Sequence, residues 1–185
     1  MFRLIAFSTA ALLLVSGEAA AQMTFIGREP AAVCYESALV ARGDRESQRV
    51  CTLAIEDQFM TSEARARTHV NRGVVRIAAR DFESALRDFE SASRLAPGLA
   101  ADIAANRAAA LIHLGRHREA LTEANYAIEH NARARASALF NRGVALEELG
   151  DMRGAYASYR QAAEARPGWS LPREALTRFQ VMELT

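Results

Sequence analysis

The chain has 185 residues, half of them apolar, which is enough for one domain with a substantial core. Its 23 basic residues nearly balance its 22 acidic ones, so neither nucleic acid nor an anionic membrane surface is an expected partner. Aromatic residues make up only 7% of the chain and alanine is abundant, a composition typical of closely packed helices rather than sheets.

The first element is a predicted secretory signal peptide at residues 1–21. Arg3 provides a basic start, an apolar run extends from Leu4 to Val15, and small residues precede the expected cleavage before Gln22. The apolar run is too short for a comfortable membrane span. We therefore expect a periplasmic or secreted protein with no membrane span after cleavage. An uncleaved N-terminal anchor is the alternative.

Two cysteines, the only ones in the chain, follow this segment. Gly43 and Asp44 lie between them and predict the turn of a helical hairpin. Cys34 then lies on the first helix and Cys51 on the second, at similar distances from the bend, so that the two sulfurs can meet. An oxidising compartment favours a Cys34–Cys51 disulfide. Two separate buried thiols are the alternative.

A pattern with a fixed step runs through the rest of the chain. The triplet at Asn71–Gly73 returns at Asn106–Ala108 and again at Asn141–Gly143, 35 residues apart each time. A period of this size indicates one supersecondary unit stacked on copies of itself. Four further positions keep the same step: Ala85, Ala120 and Ala155; Phe89, Ala124 and Tyr159; Ala92, Ala127 and Ala162; Pro97, Ala132 and Pro167.

Each copy predicts an antiparallel pair of helices. In the first copy the helices are expected near 63–79 and 82–95, with Asp81 capping the second one. The next two copies turn at Gly115 and Gly150. Small side chains on the first helices are expected to let the two axes approach by facing small side chains on the second helices. These are Gly73, Ala108 and Gly143 against Ala85, Ala120 and Ala155.

These positions resemble the tetratricopeptide repeat, in which a small residue on the first helix is followed by alanine, an aromatic residue, alanine and proline at set spacings. The first and third copies match throughout, whereas the middle copy has Ala124 for the aromatic residue and Ala132 for the proline. The resemblance implies an all-α, tetratricopeptide-type α-solenoid of antiparallel helical hairpins with a C-terminal capping helix. It divides residues 22–185 into a degenerate hairpin at 28–61, repeats at 66–99, 101–134 and 136–169, and a capping helix at 171–184.

The resemblance further implies that the first helices line a concave groove for a peptide or protein segment. Asn71, Asn106 and Asn141 recur there, and each amide can both donate to and accept from a peptide backbone. The alternative is that each asparagine bonds its own scaffold. The arginine after each asparagine points elsewhere and is expected to pair with carboxylates or carbonyls between units. The implied groove residues are Arg67, Val70, Asn71, Val74, Ile77, Asp102, Ala105, Asn106, Ala109, Ile112, His113, Ser137, Phe140, Asn141 and Val144.

Motifs for catalysis or cofactor binding are not recognised in the sequence. His113 and His117 have the spacing of a metal pair, but Gly115 breaks the helix between them, and two cysteines lack the further ligands that zinc requires. We therefore expect no enzyme, no cofactor and no metal, and a scaffold for a protein or peptide partner that the sequence does not identify. The alternatives are a self-associating structural protein, hence a homo-oligomer, or a non-catalytic subunit of an envelope enzyme complex.

Overall fold

The computed structural model describes residues 29–130 and 134–182, with only the backbone at 180–182. The predicted signal peptide at 1–21 lies outside the described residues, as do residue 28 of the first hairpin, Ala132, and residues 183–184 of the predicted capping helix. Throughout the described residues the chain is all-α, with a single 3₁₀ turn at Pro97–Leu99. The helices are α1 (Pro30–Leu39), α2 (Arg45–Glu56), α3 (Ser62–Ala78), α4 (Phe82–Leu95), α5 (Ala100–His113), α6 (His117–His130), α7 (Arg135–Glu148), α8 (Met152–Ala165) and α9 (Ser170–Met182).

The helices pair in chain order into four hairpins, α1 with α2, α3 with α4, α5 with α6 and α7 with α8, while α9 packs on α8. First helices also contact one another along the stack: α1 contacts α3, α3 contacts α5, and α5 contacts α7. Because the first helices meet in series, they form the inner face of the stack. The predicted fold class, an α-solenoid of helical hairpins closed by a C-terminal helix, is confirmed.

The turns of the three regular hairpins share one backbone conformation. Gly115 and Gly150 have φ values of 71° and 85°, in the left-handed region, and Arg80 occupies the same place in the first regular hairpin with a φ of 63°. The amide after each of these residues donates to the carbonyl five residues earlier, which closes the end of the first helix. For a residue with a side chain this conformation costs about 1–2 kcal/mol. Arg80 is therefore a strained version of a glycine turn.

Close packing within a hairpin comes from a glycine beneath an aromatic ring. A Cβ atom added to Gly73 would lie 2.4 Å from Cε1 of Phe89, and one added to Gly143 would lie 2.6 Å from the ring of Tyr159. The nearest neighbour of each glycine is thus a ring, rather than the alanine that the sequence predicted. In the middle hairpin Ala108 and Ala124, both fully buried, stand in the same two places. The first and third regular hairpins thus pair a glycine with a ring, whereas the middle hairpin pairs two alanines and has less side-chain volume there.

The N-terminal hairpin is organised around its disulfide. Cys34 of α1 and Cys51 of α2 are bonded, as the sequence predicted, and both are fully buried against Val75 of α3. Closing a loop of this length contributes about 3 kcal/mol in the chain-entropy treatment. The turn of this hairpin rests on the end of α3, where a Cβ atom on Gly43 would lie 2.4 Å from the backbone nitrogen of Ala79.

The arginine of each repeated triplet crosses to the second helix of its own hairpin. Arg72 bonds Asp88, Arg107 lies 3.2 Å from Glu123, and Arg142 donates to the hydroxyl of Ser158. The pairing that the sequence predicted is present, but it lies within hairpins rather than between units. Arg72 alone also reaches the preceding hairpin, through the hydroxyl of Thr52.

Asp88 is the most buried charge of these contacts, with 2% of its side chain exposed. Besides Arg72 it bonds Nη1 of Arg76 at 2.7 Å and faces Nδ1 of His69 at 2.9 Å. Burial by itself raises the pKa of this carboxyl group, but the hydrogen bonds of His69 and Arg72 outweigh it and hold the pKa below the usual range. The carboxylate therefore stays ionised and ties α3 to α4.

Candidate functional site

The inner face of the stack contains an apolar cavity of about 490 Å³ between α1, α3 and α5. It brings together five of the predicted groove residues from two successive repeats. Arg67, Val70 and Asn71 come from α3, and Asp102 and Asn106 come from α5. The cavity is open to solvent on one side, and its volume is at the scale of side chains or a short segment rather than of a whole domain.

Asn71 is one of the polar side chains that line the cavity. Its side chain makes no hydrogen bond to another described residue, although it is only partly exposed. An amide of this kind can donate two hydrogen bonds and accept two more. Since the surrounding lining is mainly apolar, a backbone group entering the cavity would find Asn71 as a partner there.

The other two asparagines of the row are used by the scaffold. Asn106 lines the cavity, but its Nδ2 donates to the carbonyl oxygen of Asp102 one turn earlier at 3.0 Å. Asn141 lies one repeat further along and donates across units to the carbonyl oxygen of Ala105 at 3.0 Å, bracing α7 against α5. The three equivalent asparagines therefore differ in their hydrogen bonds.

Four predicted groove residues pack into the scaffold of the first two repeats. Ile77 and Ile112 lie against buried clusters, and Ala105 is only 5% exposed. His113 stacks on Phe82 of the preceding hairpin with ring centroids 4.7 Å apart. These residues stabilise the contact between repeats. Ala105 is buried, Ile77 and Ile112 are partly buried, and His113 remains exposed.

The third repeat contributes to the inner face under partial cover from the C-terminal helix. Phe140 packs between Tyr159 and Trp169, with ring centroids 5.5 and 5.0 Å away, and Val144 packs in the same cluster as Phe179 of α9. The remaining predicted residues, Val74, Ala109 and Ser137, are partly buried and do not line the cavity between α1, α3 and α5.

Sequence reasoning missed the wall that α1 provides. Ala31 and Tyr35 of the degenerate hairpin line the cavity, together with Met60 from the loop before α3. The usable signal was the position of Tyr35 directly after Cys34, because a bonded cysteine fixes the orientation of its neighbour. The repeat pattern does not define the register of this hairpin, so it did not place the first helix of the hairpin at the groove.

A polar surface adjoins the apolar cavity and shares Arg67 and Asp102 with it. Arg67 also bonds Glu63 at 2.8 Å, and both side chains are more than half exposed. Charges of both signs thus lie at one edge of an otherwise apolar site. Such a rim orients a ligand more than it adds affinity, since exposed pairs are worth about 0–1 kcal/mol.

Within the described ranges, no group of three or more His, Cys, Asp or Glu side chains is arranged to hold a metal ion. No helix in that part of the chain is long and apolar enough to cross a membrane.

Comparison with known protein families gives a match in the third regular hairpin. Residues 136–168, which span α7 and α8, match the sequence model of the tetratricopeptide repeat. The match supports placing the chain among tetratricopeptide repeat proteins, whose repeats are typically non-catalytic modules for protein–protein interaction. A search of curated proteins finds no match to the chain.

Proposed function

We propose that this protein is an exported scaffold that binds a peptide or protein segment in the concave groove, at the cavity between α1, α3 and α5. The observation that carries the proposal is the amide of Asn71, which lines an apolar cavity on the inner face and bonds no other described residue. A segment bound there would place an apolar side chain in the cavity and hydrogen-bond its backbone to Asn71.

Two observations support export. The N-terminal segment has the basic, apolar and small-residue order of a signal peptide. The Cys34–Cys51 disulfide is compatible with an oxidising compartment such as the periplasm or the exterior. Expression of the full chain followed by mass measurement tests this: a product beginning at Gln22 outside the cytoplasm supports export. Retention of the uncleaved chain in the cytoplasm contradicts it.

A matched pair of substitutions tests the groove. Asn71→Asp removes the amide donor and adds a negative charge to the apolar cavity. Asn125→Asp makes the same chemical change on α6, the second helix of its hairpin, at a residue that does not line the cavity. The parent and both variants are immobilised, exposed to an envelope extract, and compared by quantitative mass spectrometry after circular dichroism has shown equal helicity.

We expect at least one protein to be recovered by the parent and by Asn125→Asp, and to be reduced roughly tenfold by Asn71→Asp, since a lost hydrogen bond with an unpaired buried group costs about 1–3 kcal/mol. Equal recovery by all three proteins contradicts the groove proposal. Recovery of only further copies of this protein indicates self-association instead. Capture of a complex with catalytic activity indicates that this protein is a non-catalytic subunit of that complex.

A further inference from the structure

The N-terminal hairpin departs from the repeat pattern, yet its first helix closes one side of the cavity. Tyr35 and Ala31 of α1 face the same space as Val70 and Asn71 of α3. Tyr35 is 53% exposed, so it is a surface residue beside an apolar cavity and not part of the core. A large aromatic side chain in this position limits how much of a ligand can enter.

Helix α1 has few means of holding its own position. It has ten residues, and a helix shorter than about 12 residues is marginal in isolation. No side chain caps its first turn, and Leu39 and Val40 at its end are 65% and 66% exposed. The buried residues of the helix are Cys34 and Ser37. Its other apolar residues are at most partly buried, as at Ala31, Val33 and Ala38, so burial of apolar side chains contributes only modestly to its placement.

The disulfide attaches α1 covalently to α2. Cys34 is bonded to Cys51 of α2, and the pair packs as one unit on Val75 of α3. Tyr35 is the next residue after Cys34, so its backbone is held by the same bond. Both cysteines are 0% exposed, which places the bond in the interior of the hairpin and out of reach of solvent reductants in the folded state.

We propose that the Cys34–Cys51 disulfide positions Tyr35 as the N-terminal wall of the binding cavity, and that Tyr35 selects the size of the apolar side chain that a bound peptide inserts. This inference rests on the proposed function. Cys34 and Cys51 are positioning residues, whereas Tyr35 contacts the ligand. The degenerate hairpin is thus a specificity element, and the regular repeats provide the remaining walls.

The test uses the full oxidised chain and peptides selected on it from a random display library. Peptides that compete with one another and lose affinity for Asn71→Asp are synthesised in two forms, one with leucine and one with tryptophan at the position most sensitive to alanine substitution. Their Kd values are measured by fluorescence anisotropy. The variants are Tyr35→Ala, the double variant Cys34→Ala with Cys51→Ala, and Leu139→Ala as a control.

Leu139 is buried in the third hairpin and does not line the cavity, so Leu139→Ala lowers overall stability without changing the wall. We expect Tyr35→Ala to change the ratio of the leucine and tryptophan Kd values by about fivefold or more in favour of tryptophan, because removal of the ring enlarges the cavity. The double cysteine variant weakens both peptides by a similar factor, with loss of hydrogen-exchange protection confined to α1. Leu139→Ala leaves the ratio unchanged.

An unchanged ratio in Tyr35→Ala overturns the inference and leaves the proposed function standing. Because Tyr35 is about half exposed, Tyr35→Ala is expected to fold, and it tests the selection of side-chain size even if the double cysteine variant does not fold. Unchanged affinity in a folded double cysteine variant likewise overturns the positioning role. If no selected peptide depends on Asn71, the proposed function fails and the inference falls with it.

Discussion

The contact between Gly73 and Phe89 offers a sharp test of how the hairpins pack. In Gly73→Ala the new Cβ atom would lie 2.4 Å from Cε1 and 2.8 Å from Cζ of a fully buried ring. Ordinary contacts between carbon atoms are about 3.5–4.0 Å, so the ring or the helix must move by about 1 Å. Overpacking of this kind costs about 1–3 kcal/mol.

The same substitution also has a favourable effect, because alanine stabilises a helix interior by about 0.5–1 kcal/mol relative to glycine. The net expectation for Gly73→Ala is a loss of about 1–2 kcal/mol in the free energy of unfolding. Urea unfolding followed by circular dichroism measures it, as a lower midpoint with an unchanged slope. Gly98→Ala is the control, since nothing lies within 4 Å of its Cβ position.

The same substitution in a Phe89→Ala variant tests whether the ring causes the loss of stability. In Phe89→Ala the ring is absent, and the combination with Gly73→Ala reproduces the alanine pair found at Ala108 and Ala124. We expect Gly73→Ala to become stabilising there, by about 0.5–1 kcal/mol. If the substitution has the same sign in both backgrounds, the packing explanation is refuted.

Three further predictions concern the repeated positions of the scaffold. Arg80→Gly relieves the left-handed strain and should raise the free energy of unfolding by about 1 kcal/mol in urea unfolding. The folded-state pKa of Asp88 lies below its unfolded value of about 3.9, so its stabilising contribution is present above that pH and lost as pH falls through the folded pKa. Asp88→Asn should therefore cost about 3 kcal/mol at neutral pH and flatten the loss of thermal stability below about pH 4. Ala104 and Glu123 line a surface cavity of about 300 Å³ and occupy the repeat positions of His69 and Asp88. Ala104→His would fill part of this cavity and could hydrogen-bond Glu123, as His69 bonds Asp88. We expect the melting temperature to rise by about 2–4 °C.

Each of these predictions has a contrary result. An unchanged or lower stability in Arg80→Gly would show that the side chain contributes more than the backbone strain costs. Equal acid sensitivity in the parent and Asp88→Asn would place the titrating group elsewhere. For Ala104→His the control is Ala104→His with Glu123→Gln, and an equal gain in both would show that volume alone, without the hydrogen bond, stabilises the protein.

On the inner face, the repeat pattern does not predict the hydrogen-bond partners of equivalent side chains. The step of 35 residues placed Asn71, Asn106 and Asn141 at equivalent positions, but Asn106 and Asn141 bond different carbonyls and Asn71 bonds no other described residue. Each environment depends on the neighbouring repeat: α7 has a carbonyl of α5 within reach, whereas α3 faces the degenerate hairpin. The period therefore predicts the position of a residue on its helix, whereas the adjacent repeat determines which groups its side chain contacts.

Some properties followed from the sequence alone because they depend on short-range chemistry. The period predicts the stacked hairpins, since each copy can bury its apolar face only against the next. Glycines at 115 and 150 predict the turns, because the left-handed conformation is least costly there. The two cysteines predict their bond, since a single turn between two helices brings them to the same height.

The tertiary structure decided which parts of the predicted groove stay open. Phe140 and Val144 belong to the repeat pattern, yet α9 folds back on them and takes up part of their surface. Tyr35 carries no repeat signature, yet it lines the cavity, directly after the bonded Cys34. Both outcomes depend on how non-repeating ends pack against the regular units. Such contacts join residues far apart in the chain, and no local pattern records them.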